Sequence, residues 1–404
     1  MRWYQFVKLI YQIYGNKPDL KYIQSLGLLA IKIGQVHALR IDFLNEDTCQ
    51  ELSKLYRQAD SLPAESIDKL LSSYVDSGWR DNFGSIEREP FASASVGQVH
   101  RGVLKNGDQV AIKIVKKDFV GDFRRDAERL LKFFRFILFF YPKLKKVADP
   151  IGIIEHIKEY TLEELDLRNE MKGQKVLKDI YEKNKGNYDL GHLKFLPYYP
   201  ELSSEHVLVS KYLPEPTIDE LLDKKTLKYD ELLELFKIHG FFMFNIGTFH
   251  GDIHPGNIII KNDDFIFIDN AALSHTGNRI RENLFLFFKH LSAYDYPACA
   301  RSLNAMAEKG IGGEKYMDFE KKFGELYSDF KNATVTDVSL TRRMMETIKL
   351  GVNSGMVFEK GMFSIIKSLM YLDGMVLRCN PQAVLLKDMR QFISVMERSR
   401  SRNY

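Results

Sequence analysis

The sequence predicts an α+β fold of two lobes, a small one built on strands and a larger helical one, behind a helical N-terminal extension. Three observations carry this. Residues 84–117 alternate short strands with tight turns, and strand character returns just before Pro214. Residues 20–75 and 278–396 read as helices. Between these regions, Phe241 to Ala272 reads FFMFNIGTFHGDIHPGNIIIKNDDFIFIDNAA: an apolar helical run, a polar loop, and two short strands about a turn. The 404 residues, 45% hydrophobic and 28% charged, suffice for two or three packed units. A net charge of +4 gives no reason to expect nucleic acid as a partner. Cys49, Cys299 and Cys379 have no metal-type spacing and fit free thiols in a reducing compartment.

The N-terminus, MRWYQFVKLIYQIYG, places Trp3, Phe6, Val7, Ile10 and Ile13 at helical spacing, with Gln5, Lys8 and Gln12 opposite. Packing on its own protein is the ordinary fate of such a helix; lying on a membrane surface is the other. No run approaches the roughly 18 apolar residues of a spanning helix. A signal peptide's apolar core and cleavage site are absent from these residues. The expectation is a cytoplasmic protein without a transmembrane helix, with peripheral contact on the inner face of the membrane at most. Lys32-Ile33-Gly34-Gln35 follows, then Arg40 and Asp42, then an amphipathic helix from about Asn45 to Arg57 that Asp60 to Pro63 ends. Taken alone, Lys32 and Gln35 read as a solvated helix face.

Phe91 to His100 is a run of small residues entering a strand, Leu104 to Asp108 a hairpin turn, and Val110 to Val115 a strand carrying Lys113. Small residues let a backbone approach a ligand, and their N–H groups can cradle phosphate. Ala92, Ser93, Ala94, Ser95 and Val96 are therefore candidate nucleotide-binding residues. Lys113 within Val-Ala-Ile-Lys occupies the usual place of the lysine that contacts the α- and β-phosphates; the alternative is a snorkelling edge-strand lysine. Residues 123–146 read as a core helix with Arg129, Lys132 and Arg135 as a basic stripe, or else as a basic aromatic surface for anionic lipid.

Residues 151–180 read as continuous helix, which puts Asp166 and Glu170 on one face and Glu164 well around the cylinder. A lysine buried in a cleft needs a carboxylate. Glu170 is the expected partner of Lys113, with Glu164 the alternative. Val207 to Pro214 reads as the last strand of the small lobe and a hinge.

Within the central stretch, Asp252 and Asn257 share one loop, and the hairpin brings Asp269 back beside them. A lone Asp-x4-Asn pair is more often a plain polar turn. With Asp269 after a hairpin, the order is that of kinase-type phosphoryl transfer: an Asp that orients the attacking group, an Asn on the metal, and a later Asp bridging metal and phosphates. Such oxygen donors suit magnesium.

The string HGDIHPGN resembles both the aminoglycoside-phosphotransferase-like small-molecule kinases and the UbiB (AarF/ADCK) atypical kinases. KIGQVHALRIDFL and FASASVGQVH, together with VAIK, resemble the UbiB type, from about Leu26 to at least Asp373. Departures are Ser93, which interrupts the family's alanines, and Asn270-Ala271 after Asp269 in place of Phe-Gly. The resemblance implies a bilobal protein-kinase-like fold with the extension packed over the cleft. Its segments are a KIGQ extension (1–83), a small lobe (84–214), a helical catalytic lobe (215–396) and a disordered tail (397–404). It implies ATP and Mg2+ as cofactors, Asp252, Lys113 and Glu170 in catalysis, Asn257 and Asp269 on the metal, and Lys32, Gln35, Glu164 and Asp166 in gating, with both acids facing the KIGQ segment. It further implies an ATP-dependent kinase or ATPase linked to ubiquinone or other isoprenoid-lipid metabolism, with an isoprenoid lipid or biosynthetic complex as partner. A small-molecule kinase and a non-catalytic nucleotide-dependent lipid-binding scaffold are the alternatives.

Overall fold

The computed structural model describes residues 1–15, 17–38, 44, 46–56, 66–93, 96–116, 119–140, 150–359 and 361–401. In chain order the strands are β1 (Phe83–Ile86), β2 (Ala92–Ser93), β3 (Gly97–Leu104), β4 (Gln109–Val115), β5 (Leu193–Phe195), β6 (Val207–Lys211), β7 (Thr248–His250), β8 (Ile258–Lys261), β9 (Asp264–Phe267) and β10 (Leu273–His275). The helices are α1 (Trp3–Ile13), α2 (Leu20–Ser25), α3 (Leu28–Ala38), α4 (Glu46–Ser53), α5 (Ser66–Tyr74), α6 (Phe119–Phe140), α7 (Pro150–Leu165), α8 (Arg168–Asn184), α9 (Ile218–Asp223), α10 (Tyr229–Gly240), α11 (Asn278–Ser292), α12 (Tyr296–Met306), α13 (Gly313–Leu326), α14 (Leu340–Ser354), α15 (Met362–Cys379), α16 (Leu385–Asp388) and α17 (Arg390–Ser401). They form two compact units, Met1–Lys172 with Leu196–Leu213, and Gly173–Phe195 with Pro214–Tyr404.

The first unit is built on an antiparallel sheet of order β1-β3-β4-β6, with β2 added alongside β3. β4 is central: Lys113 stands opposite Val99 of β3 and Leu208 of β6. Its apolar residues Val110, Ile112 and Ile114 are buried on one face with Trp79, Phe83 and Leu71. This alternation is what a half-buried strand requires. The N-terminal helices join α6 and α7 in a second core through Leu9, Ile13, Leu29, Ile33, Leu130 and Ile157.

Two helices of this unit combine a core-packed face with an exposed aromatic one. In α1, Leu9 and Ile13 face the core, while Trp3, Tyr4, Val7 and Tyr11 are exposed. In α6, Phe123, Ala127, Leu130 and Leu131 are buried, but Phe136, Phe139 and Phe140 stand in solvent, so it is a core helix along one face only. The 151–180 stretch is not one helix: α7 stops at Leu165 and α8 starts at Arg168. At the break the Asp166 carboxylate accepts the Arg168 backbone N–H at 3.1 Å, the local bonding by which Asp interrupts helices.

The second unit is mainly helical. Its core runs from Leu232 and Phe241 through Phe287 and Phe323 to Ile365 and Met396. The helix α10 runs into a π-helical turn, Phe241–Ile246, which Gly247 closes at φ 81°. β8 and β9 form a hairpin whose turn residues Asn262 and Asp263 have φ 51° and 66°, the left-handed pair a two-residue turn needs and Asn and Asp tolerate. β5 pairs with β9 in parallel, and β10 pairs with β7. Where the sequence predicts a disordered tail from residue 397, α17 continues to Ser401, and Glu397 pairs with Lys289 and Arg400 with Glu282. Residues 402–404 of that tail lie outside the described residues, as do Arg40, Asp42 and the Asp60–Pro63 helix stop.

Candidate functional site

In the first unit Lys113 Nζ lies 2.5 Å from Glu170 Oε1, with the two side chains 17% and 2% exposed. The helix break turns α8 so that Glu170, two residues into it, reaches the central strand. Glu164, the alternative partner, is engaged by Lys32. Ala92 and Ser93 form β2, opposite Val99 and Gln98, and Val96 is buried beside them. Ala94 and Ser95 lie outside the described residues. A residue the sequence did not single out, Lys116, is buried and donates from Nζ to Ser93 Oγ at 2.6 Å, so a second cation stands at the small-residue segment. Its position one residue past β4 was the available signal.

The KIGQ segment is part of α3 and is buried, so it is not a solvated face. Its two polar side chains diverge. Lys32 pairs with Glu164 of α7 and lies 5.9 Å from the Tyr160 ring centroid. Gln35 donates to the Leu55 carbonyl at 3.0 Å. Gly34 between them fits because a Cβ there would meet Leu55 Cδ1 at 2.6 Å. Asp166 does not face this segment. Arg168 takes both its oxygens at 2.8 Å and holds the carboxyl below the usual carboxylate range.

In the second unit, β7 ends at His250 and the chain turns through Asp252 to Asn257 before β8. Asn257 Nδ2 donates to the Asp252 carbonyl at 3.3 Å, tying the ends of the loop together. Ile268 N–H donates to the Asn257 carbonyl at 2.9 Å, which extends the β8–β9 ladder by one rung and sets Asp269 next to Asn257 at that end of the hairpin. His250 links the two segments: Nδ1 accepts the Asp252 N–H at 3.1 Å, and Nε2 donates to the Asp269 carbonyl. Both bonds require the neutral Nε2–H tautomer, and burial lowers the pKa of this histidine. Beyond Asp269, the buried Asn270 donates to the Phe267 carbonyl at 3.0 Å, and the chain goes directly into β10 beside β7. One carboxylate and one amide suit a hard cation that keeps water and phosphate oxygens as further ligands. Among the described residues no group of three or more His, Cys, Asp or Glu forms a metal cage.

Two further contacts at this loop come from distant sequence and carry no local signal. Lys367 Nζ on α15 lies 3.0 Å from Asp252 Oδ1, and Gly173 on α8 lies against the Asn270 backbone.

The ABC1 atypical kinase-like domain matches residues 54–303, well over half of the chain. The chain belongs to this family. "Probable protein kinase UbiB" of Pseudomonas aeruginosa is 24% identical over 393 residues, covering 94% of this chain and 71% of that protein. An uncharacterised Clostridium pasteurianum protein of the hydrogenase 1 5′ region is 25% identical over 383 residues, covering 91% and 69%. "Protein ACTIVITY OF BC1 COMPLEX KINASE 8, chloroplastic" of Arabidopsis thaliana is 27% identical over 303 residues, 72% of this chain and 38% of its own. Among solved structures, Mycobacterium tuberculosis Rv3197, determined in complex with erythromycin, superposes with a TM-score of 0.52 at 18% identity, over 94% of this chain and 96% of that one. The fold is thus the α+β protein-kinase-like fold of the ABC1 family.

Proposed function

We propose that this ABC1-family chain binds ATP with magnesium and consumes it as a kinase or ATPase. The observation that carries the reading is the second unit's loop, where Asp252 and Asn257 share one turn and His250 ties that turn to the Asp269 segment. In this reading Lys113, steadied by Glu170, contacts the α- and β-phosphates, Ala92 to Val96 cradle the phosphates, and Asn257 and Asp269 hold the metal. Bound magnesium would offset the charge on the phosphates. Asp252 accepts the proton of the attacking hydroxyl or water as its oxygen bonds to the γ-phosphorus. The bond from that phosphorus to the bridging oxygen breaks, and ADP leaves with the electron pair. Positioning and electrostatics supply the acceleration. Lys32 paired to Glu164 restrains the extension and thereby the choice of acceptor.

The UbiB relatives and the KIGQ and FASASVGQVH strings support a role in ubiquinone or other isoprenoid-lipid metabolism. No described helix is long and apolar enough to cross a membrane. The exposed aromatic residues of α1 and α6, with Arg129, Lys132 and Arg135 on α6, favour peripheral membrane contact.

The test is a thermal-shift titration with millimolar ATP, with and without magnesium. The melting temperature rises with ATP and magnesium. Asp269→Asn abolishes the magnesium-dependent part, and Asp252→Asn keeps binding but lowers turnover roughly 10²–10⁴-fold. An unchanged melting temperature defeats the reading.

A further inference from the structure

The matched family domain ends at residue 303, yet the Asp252 loop is braced by a helix well beyond it. α15 offers three adjacent side chains to this loop. Lys367 Nζ lies 3.0 Å from Asp252 Oδ1, the two side chains being 13% and 23% exposed. Ser368, fully buried, donates from Oγ to the His250 carbonyl at 3.5 Å. Tyr371 meets the His254 ring edge-on, centroids 5.3 Å apart at 87°, and Lys367 Nζ lies 5.8 Å from the Tyr371 centroid. Residues 367, 368 and 371 share one side of a helix. A surface lysine would run its stem outward and keep its ammonium in water. This one turns inward, and burying its charge is costly without an anion beside it.

The approach to Asp252 is too oblique for a hydrogen bond, and Oδ1 accepts none among the described residues. The contact is therefore an ion pair that fixes one carboxylate oxygen and leaves the other for an incoming hydroxyl or water.

Resting on the phosphoryl-transfer reading above, we propose that Lys367 is the positioning residue for Asp252, so that the C-terminal helices beyond the family domain are part of the working site. Lys367 holds the carboxylate in the orientation that receives the acceptor's proton. Its charge also offsets the repulsion between that carboxylate and an anionic phosphoryl group.

The test uses the full chain as wild type, K367M, K367R, D252N and D252N/K367M. Expected for K367M is a fall in ATP turnover of roughly 10- to 100-fold, the scale of a displaced reacting group. Its affinity for magnesium-ATP, read by thermal shift, stays within threefold. K367R recovers most of the loss because it restores the cation. The double variant is no slower than D252N, since both changes act on one unit. Hydrogen exchange at residues 250–257 is faster in K367M than in wild type, with the rest of the chain unchanged. If K367M turns over within twofold of wild type, or K367R is no better than K367M, or the two losses multiply, the proposal is overturned while the functional reading stands. If the wild-type chain consumes no ATP, the functional reading fails, and the exchange data alone decide whether Lys367 holds the loop.

Discussion

Gly173→Ala separates local from tertiary control of this fold. Gly173 lies inside α8, where alanine is favoured over glycine by about 1 kcal/mol on propensity alone. Local reasoning therefore predicts a more stable protein. The tertiary structure predicts the reverse. A Cβ at 173 would lie 1.8 Å from the Asn270 carbonyl oxygen and 2.9 Å from its carbon. Both atoms are backbone, so no side chain can swing aside. α8 and the 269–272 segment must separate by more than an ångström to reach an ordinary contact. Overpacking of a rigid contact costs about 1–3 kcal/mol and at times more. Set against the propensity gain, the net is destabilisation of up to about 2 kcal/mol, and the 1.8 Å backbone clash puts it toward the upper end. For a domain of roughly 200 residues each kcal/mol lowers the melting temperature by about 2–4 °C. The displaced segment follows directly on Asp269, so the magnesium-dependent part of the ATP thermal shift falls as well. Calorimetry and nucleotide titration of the variant read both effects. A melting temperature at or above wild type, with unchanged nucleotide response, would refute the reasoning.

Lys32→Ala should leave ATP affinity within a few-fold yet change hydrolysis or self-phosphorylation, and Lys32→Glu with Glu164→Lys should recover part of the original behaviour; loss of all nucleotide binding would place the segment in the binding site instead. Burial lowers the pKa of His239 to about 3 and that of His250 below its ordinary value, so the unfolded chain takes up protons first as pH falls below about 6.5. Stability should therefore drop on acidification, by about 2 kcal/mol at pH 5 from His239 alone. Urea midpoints at pH 7 and pH 5 measure this, and His239→Leu with an undiminished pH slope would contradict it. The chain should co-sediment with anionic liposomes, less so at high salt; binding unaffected by Trp3→Ser with Phe136→Ser and Phe139→Ser would remove α1 and α6 as the contact.

Short-range features were legible in the sequence. The strands flanking Asn262-Asp263, the hairpin before Lys113, and the grouping of Asp252, Asn257 and Asp269 at one hairpin end follow from period-two patterning and turn chemistry, which act over a few residues. Composition and spacing likewise anticipated the α+β class, and no described helix is long and apolar enough to cross a membrane. Glu170 was the expected partner of Lys113, but the other pairings were not legible, one because of a local helix break and the rest because of tertiary packing. Asp166 pairs with Arg168 because the helix breaks there, an outcome of local hydrogen bonding that a periodic pattern does not register. Lys32 and Gln35 are buried and point to different partners, which depends on where α7 and Leu55 lie. Lys367 reaches Asp252 from 115 positions along the chain, and Gly173 meets Asn270 from almost as far. Contacts at such separations are set by how helices pack, and no spacing rule along one chain encodes the distance between two faces that only folding brings together.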